Sequence, residues 1–207
     1  MQYLLRIFVP LFIAFIPCVF SFSTLDPTLS IRFLVFSLFI AIFLVFSLIT
    51  ASKFQKGIFQ NKVVRLSFLL FLLYVSSSIY NGFSSVSVYE VLKLFLFFVF
   101  LILMIQYVVN YGYDHILKSI VVFSIITSFF YALQFIYVYP QQIDQIAATM
   151  GHKNLLCSIH FLSLPFLLYV CYYDRTLFRV ISCFAIIMII VIFTIAQSRA
   201  VFLALII

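Results

Sequence analysis

Stretches of about 20 apolar residues, separated by short polar connections, recur along the whole chain. A helix of that length matches the hydrocarbon thickness of a bilayer. The runs cover residues 4–21, 31–51, 63–80, 91–109, 116–139, 154–173 and 178–197, and another begins at 199. Lipid offers no partner to a backbone N–H or C=O, so each run must close its own hydrogen bonds as an α-helix. The expectation is an all-α, polytopic integral membrane bundle: seven transmembrane helices plus a truncated eighth, forming one transmembrane domain over residues 1–207. Only eight residues follow Arg199, so the last run reads as begun and not completed, the N-terminal part of a larger protein.

Charged residues make up 8% of the chain and hydrophobic ones 67%, against about 25% and 45–50% in a soluble domain. Lipid is therefore a partner of most of the surface. The net charge of +7 is a topology signal rather than a sign of nucleic acid, because Lys and Arg concentrate in cytoplasmic connections. The 52–65 break holds Lys53, Lys56, Lys62 and Arg65. Placing it inside puts the N-terminus in the cytoplasm together with Arg6, Lys118, Arg175 and Arg179. Arg32, Lys93, Lys153 and Arg199 then fall outside. Arg32 follows Asp26 by six residues and Lys93 follows Glu90 by three, so both read as boundary charges, the second with a helical ion-pair spacing. The first run, with Arg6 near its start, is too interrupted by Pro10 and Pro17 for a secretory signal and lacks a small-residue cleavage site, so it is expected to stay as a helix.

No metal or cofactor is expected. The four cysteines (Cys18, Cys157, Cys171, Cys183) lie in or beside apolar runs without ligand-like clustering, and read as thiols packing as small hydrophobes. The Gly count of four is low for helices that pack backbone to backbone; Ser and Ala are expected in that role.

Two outer segments carry chemistry. After the fifth run, residues 139–150 form the longest polar outer break, followed by Gly151-His152-Lys153-Asn154 and the sixth helix. Gly151 suits a left-handed turn, and the first amides of a helix attract anions. Lys153 adds a charge, and His152 and Asn154 add donors. The competing reading is a helix cap with a snorkelling lysine. Arg199, with Gln197 and Ser198 beside it, opens the next apolar run; its fork can hold phosphate oxygens in pairs, or it can reach for headgroups. His160, Ser158, Ser163 and Pro165 follow inside the sixth helix, and His160 reads as a neutral, hydrogen-bonded histidine or a proton carrier. His115 reads as a helix-start residue, and Gln134 as a bond to a neighbouring helix.

The run Gly151-His152-Lys153-Asn154-Leu155-Leu156, an apolar helix with Pro165, and a later helix ending Ala196-Gln197-Ser198-Arg199-Ala200 together resemble the O-antigen ligase and polymerase family of bacterial membrane glycosyltransferases. That family carries a G-x-x-N-type segment opening one helix and an S-R-[GA] segment opening a later one. The resemblance covers about the last third of the chain. It implies a multi-pass protein of the bacterial inner membrane, serving lipopolysaccharide or other surface-polysaccharide biosynthesis. The donor is a polyprenyl-diphosphate-linked oligosaccharide, of undecaprenyl type; the acceptor is another glycan, lipid A-core or protein. Lys153, Asn154 and Arg199 map onto diphosphate-binding positions, with Gly151, His152 and Ser198 in support. The family's long outer loop with a histidine base does not occur in these residues, so the catalytic residues are not identified and a complete active site is not expected. The alternative is a fragment of a transporter or flippase for an anionic substrate, in which the outer cations line a path; a membrane scaffold subunit is the third reading.

Overall fold

The computed structural model describes residues 2–19, 29–49, 57–80, 82, 84–138, 148, 150, 152–175 and 177–196. Among them the regular structure is helical throughout: α1 (Gln2–Phe15), α2 (Leu29–Ile49), α3 (Lys62–Tyr80), α4 (Ser85–Tyr111), α5 (Asp114–Val138), α6 (Lys153–Tyr173) and α7 (Leu177–Ala196), with 3-10 turns at Ile16–Cys18 and Ile58–Gln60. Six of these helices, α2 to α7, contain apolar segments of 19–27 residues, long enough to cross a membrane. Large apolar side chains stand on the surface, among them Leu73 at 72% and Ile136 at 71% exposure. Burying such side chains in an apolar phase is worth about 1.5–3 kcal/mol each. This is a helical membrane protein.

The expected count of seven plus one is corrected at the first segment. The first run gives only a 14-residue α-helix, about 21 Å long against a core of about 30 Å. Pro17 stands in the first turn of the 3-10 segment that follows, where proline fixes φ and donates no N–H to prolong an α-helix. The expected eighth segment, from 199, lies outside the described residues.

Helix ends follow local chemistry. The Ser84 hydroxyl accepts the Ser87 N–H at 3.2 Å and caps α4. Gly112, at φ 78°, ends it, its N–H donating to the Val108 carbonyl at 2.8 Å. That left-handed conformation costs a residue with a Cβ more than it costs glycine, and α5 begins two residues later.

The chain divides into two compact units, residues 1–5 with 36–113 and residues 6–35 with 114–207. In the first, aromatic rings make the helix contacts. Phe36 lies 5.1 Å from Phe97 and 5.2 Å from Phe100, and Phe43 meets Tyr107 edge-on at 6.3 Å. On α3, Phe71 stacks on Phe98 at 6.4 Å and Phe68 meets it at 5.7 Å. The order of these contacts makes α4 parallel to α2 and antiparallel to α3.

In the second unit α5, α6 and α7 run up, down and up. Lys118, one turn into α5, meets Asp174, just past α6, whereas Tyr131 near the other end of α5 packs with Leu156 in the second turn of α6. A core of Val121, Cys157, Leu167, Val170, Ala185, Ile189 and Phe193 fills the seam. Ser182 Oγ donates to the Leu167 carbonyl at 2.6 Å, so α7 approaches the α6 backbone closely.

Candidate functional site

Within the second unit the charged side chains sort to two ends. At the end where α5 starts and α6 finishes, Arg6 Nε donates to His115 Nε2 at 2.7 Å. There too Lys118 Nζ lies 3.6 Å from Asp174 Oδ2 and 5.2 Å from the centre of the Phe178 ring. A cavity of about 330 Å³, lined by Asp114, Lys118, Tyr169, Tyr173, Asp174 and Arg175, opens at this end. Its two acids and two bases balance, which suits a hydrated membrane boundary better than an anion site.

The anion-site candidates stand at the other end of α6. Lys153 is its first residue and Asn154 its second. His152 caps the helix: its Nδ1 accepts the Asn154 N–H at 3.1 Å and its carbonyl accepts the Leu156 N–H at 3.2 Å. An Nδ1 that accepts leaves the ring proton on Nε2 in the neutral form, so His152 presents one donor outward and consumes one of the helix's opening amides. The donor expected of His152 is therefore its Nε2 edge alone. Asn154 is exposed, and its carbonyl accepts from Ser158 Oγ at 2.8 Å. Lys153 is half-buried, as a lysine stem lying along an apolar helix should be. Gly151, Ser198 and Arg199 lie outside the described residues. α7 ends at Ala196 on this same end, in one core with Cys157 of the second turn of α6.

The left-handed residue described before α6 is Ala148, at φ 51°, an uncommon conformation for a residue with a Cβ. Gln134 holds it, Nε2 donating to the Ala148 carbonyl at 2.7 Å. Gln134 thus bonds the segment leading into α6. Ala148 and Met150 are buried with Tyr131, Leu156 and Ile192, which fixes the approach to Lys153.

No family model, curated protein or solved structure matches this chain. The site must be read from its own geometry.

Sequence reasoning missed one cation here. Arg32, expected to be a boundary charge near Asp26, is half-buried and acts as a clamp. Its Nε donates to the Val19 carbonyl and its Nη2 to the Pro17 carbonyl, both at 3.0 Å, and its Nη1 lies 3.2 Å from Met150 Sδ. It ties the end of the first apolar segment to the residues that lead into α6. Asp26 lies outside the described residues. Lys93 behaves as expected: its Nζ meets Glu90 Oε1 at 2.6 Å and rests 4.2 Å over the Tyr89 ring.

Deeper in the unit, His160 is fully buried. Its Nε2 lies 3.5 Å from Thr127 Oγ1, which itself has the Phe123 and Ser124 carbonyls at 3.0 and 3.1 Å. Thr127 has one proton for these neighbours, and its contact with His160 is the longest of the three. Among the described residues His160 Nδ1, Ser124 Oγ and Ser128 Oγ have no hydrogen-bond partner. His160 is thus the buried histidine between helices that the sequence suggested, in a seam with hydroxyls from α5.

Proposed function

We propose that this chain belongs to a membrane glycosyltransferase of the O-antigen ligase or polymerase kind. It lies in the bacterial inner membrane with its N-terminus in the cytoplasm, and holds a polyprenyl-diphosphate-linked glycan at the outer face for transfer to a glycan, lipid A-core or protein acceptor. The observation that carries this reading is the opening of α6. Lys153 stands on the first turn behind a histidine cap, Asn154 is exposed beside it, and α7 ends on the same end three residues before Arg199 in sequence. A diphosphate leaving group gains charge as its glycosidic bond breaks, and fixed cations at the edge of a low-dielectric phase stabilise that charge. Arg199 supplies paired donors and Lys153 a point charge; Gly151, His152 and Ser198 support the turn.

Binding of polyprenyl diphosphate and of the matching monophosphate to the protein in lipid nanodiscs tests this. The diphosphate should bind at least tenfold tighter, and Lys153→Ala and Arg199→Lys should each remove most of that advantage while Lys93→Ala leaves it intact. Equal affinity for the two lipids, or an Arg199→Lys variant that binds like the parent, would refute the reading.

A second reading draws on the seam of His160, Thr127, Ser124 and Ser128. Buried polar groups in a membrane helix bundle often line a transport path, which favours an anion transporter. Saturable uptake of a labelled anion into proteoliposomes, lost in His160→Phe, would decide for it.

A further inference from the structure

Cys171, two residues before the end of α6, and Cys183, in the second turn of α7, bring their sulfurs to 2.7 Å of one another. Both are free thiols and half-buried. Sulfur is larger than carbon, whose unbonded contacts settle at about 3.5–4.0 Å, and even the smaller atoms of an N–H···O bond rest at about 2.9 Å. A covalent S–S bond is about 2.05 Å. Two free thiols at this separation need only a small further shift to reach bonding distance. Of the remaining cysteines, Cys157 is sealed in the core and Cys18 is exposed at the end of the first segment.

We propose that Cys171 and Cys183 form a redox pair that closes to a disulfide and staples α6 to α7 beside their connecting turn. The oxidant class is a small-molecule disulfide. One thiolate of the pair attacks a sulfur of that molecule, expelling one thiolate and leaving a mixed disulfide on the protein. The second cysteine's thiolate then attacks the protein-bound sulfur and expels the other thiolate. The two protons lost by the cysteines go to the two departing thiolates. The protein loses two electrons as its two thiols become one disulfide, and the small disulfide gains them as two thiols. The bond ties together two helices already held by the Ser182 hydroxyl on the Leu167 carbonyl. With the N-terminus in the cytoplasm, as in the proposed function, this turn faces a reducing compartment, so the dithiol is the resting form and the disulfide forms on oxidation.

The test uses the whole protein in detergent, reduced, then treated with oxidised glutathione and alkylated under denaturing conditions. Intact mass should show two alkyl groups fewer than the reduced control and no retained glutathione. A tryptic map should show the fragments containing Cys171 and Cys183 joined, although cleavage at Arg175 and Arg179 lies between them. A phosphine reductant should restore both alkylations, and Cys171→Ser should instead leave a mixed disulfide on Cys183. Full alkylation of all four cysteines after oxidation, or a link to Cys18 or to a second chain in its place, would overturn the proposal; the wild-type measurement stands even if Cys171→Ser fails to fold.

Discussion

The two compact units solve the same problem, apolar helices in an apolar solvent, in opposite ways. In the first, α3 and α4 bury only 11% and 6% of their membrane segments, and their partners are phenylalanine rings. In the second, α5, α6 and α7 bury 33%, 33% and 28%, and the seam contains Ser124, Thr127, Ser128, Ser163, Ser182 and Ala185. Because lipid is as apolar as phenylalanine, ring contacts gain only what dispersion and ring geometry offer, while small and hydroxylated residues let backbones approach and exchange hydrogen bonds. The small number of glycines has its account here: one unit spaces its helices with rings and the other packs them on Ser and Ala.

The largest effect that would break this contrast comes from overfilling the tight seam. Ala185 is fully buried between α6 and α7, so Ala185→Phe should lower stability in detergent by about 3 kcal/mol, the upper part of the range for overpacking. The converse belongs to the other unit. Phe71 lines an open groove of about 270 Å³ with Phe97, Phe98 and Leu101, which an acyl or detergent chain can enter. Phe71→Ala should therefore cost about 1 kcal/mol, the worth of its ring pairing, rather than the 3–5 kcal/mol typical of a sealed core. Thermal unfolding of the two variants side by side checks both. Equal losses would mean that the units are packed alike.

Next in size is the clamp that fixes the approach to Lys153. Arg32→Lys keeps the charge but cannot reach the Pro17 and Val19 carbonyls together from one planar fork. Hydrogen bonds to a charged group are worth about 1.5–3 kcal/mol, so a loss of about 2 kcal/mol is expected. Unchanged stability together with unchanged proteolysis at the first segment would show that the clamp is decorative.

This residue also marks how far the sequence was legible. The existence of α2 to α7 followed from run length, because lipid leaves a long apolar segment no choice but a helix, although α4 starts at Ser85, six residues before the apolar run expected from 91. The ends of α6 agreed within a residue, Lys153 and Asn154 at its opening and Tyr173 at its close. The first segment was misjudged because its apolar run continues across Pro17, where the α-helix has already ended. Arg32 was missed for a different reason. Its partners are two backbone carbonyls 13 and 15 residues away and a methionine sulfur 118 residues away, and neither periodicity nor charge spacing encodes a bond to a carbonyl. The Cys171–Cys183 approach was hidden in the same way, since a separation of 12 residues becomes a contact only when the intervening turn folds α7 back on α6. Of the proposed anion site, the α6 half was visible as a helix opening, and the role of His152 as cap came only from its ring accepting the Asn154 N–H.

The smallest effect is the most diagnostic of what the second unit's seam contains. Ser124 Oγ and Ser128 Oγ are buried without a hydrogen-bond partner among the described residues, while Ser119, Thr127 and Ser163 return their protons to carbonyls of their own helices. An unpaired hydroxyl in an apolar seam gives up solvation without return, so its removal carries none of the usual hydrogen-bond loss. Ser124→Ala and Ser128→Ala should leave stability unchanged or raise it by a few tenths of a kcal/mol, whereas Thr127→Val, which leaves His160 facing a methyl group, should lower it by about 1 kcal/mol. If both serine variants instead lose as much as Thr127→Val, their hydroxyls hold a water or an ion in the membrane interior. The tight unit would then be packed around a polar ligand rather than simply packed.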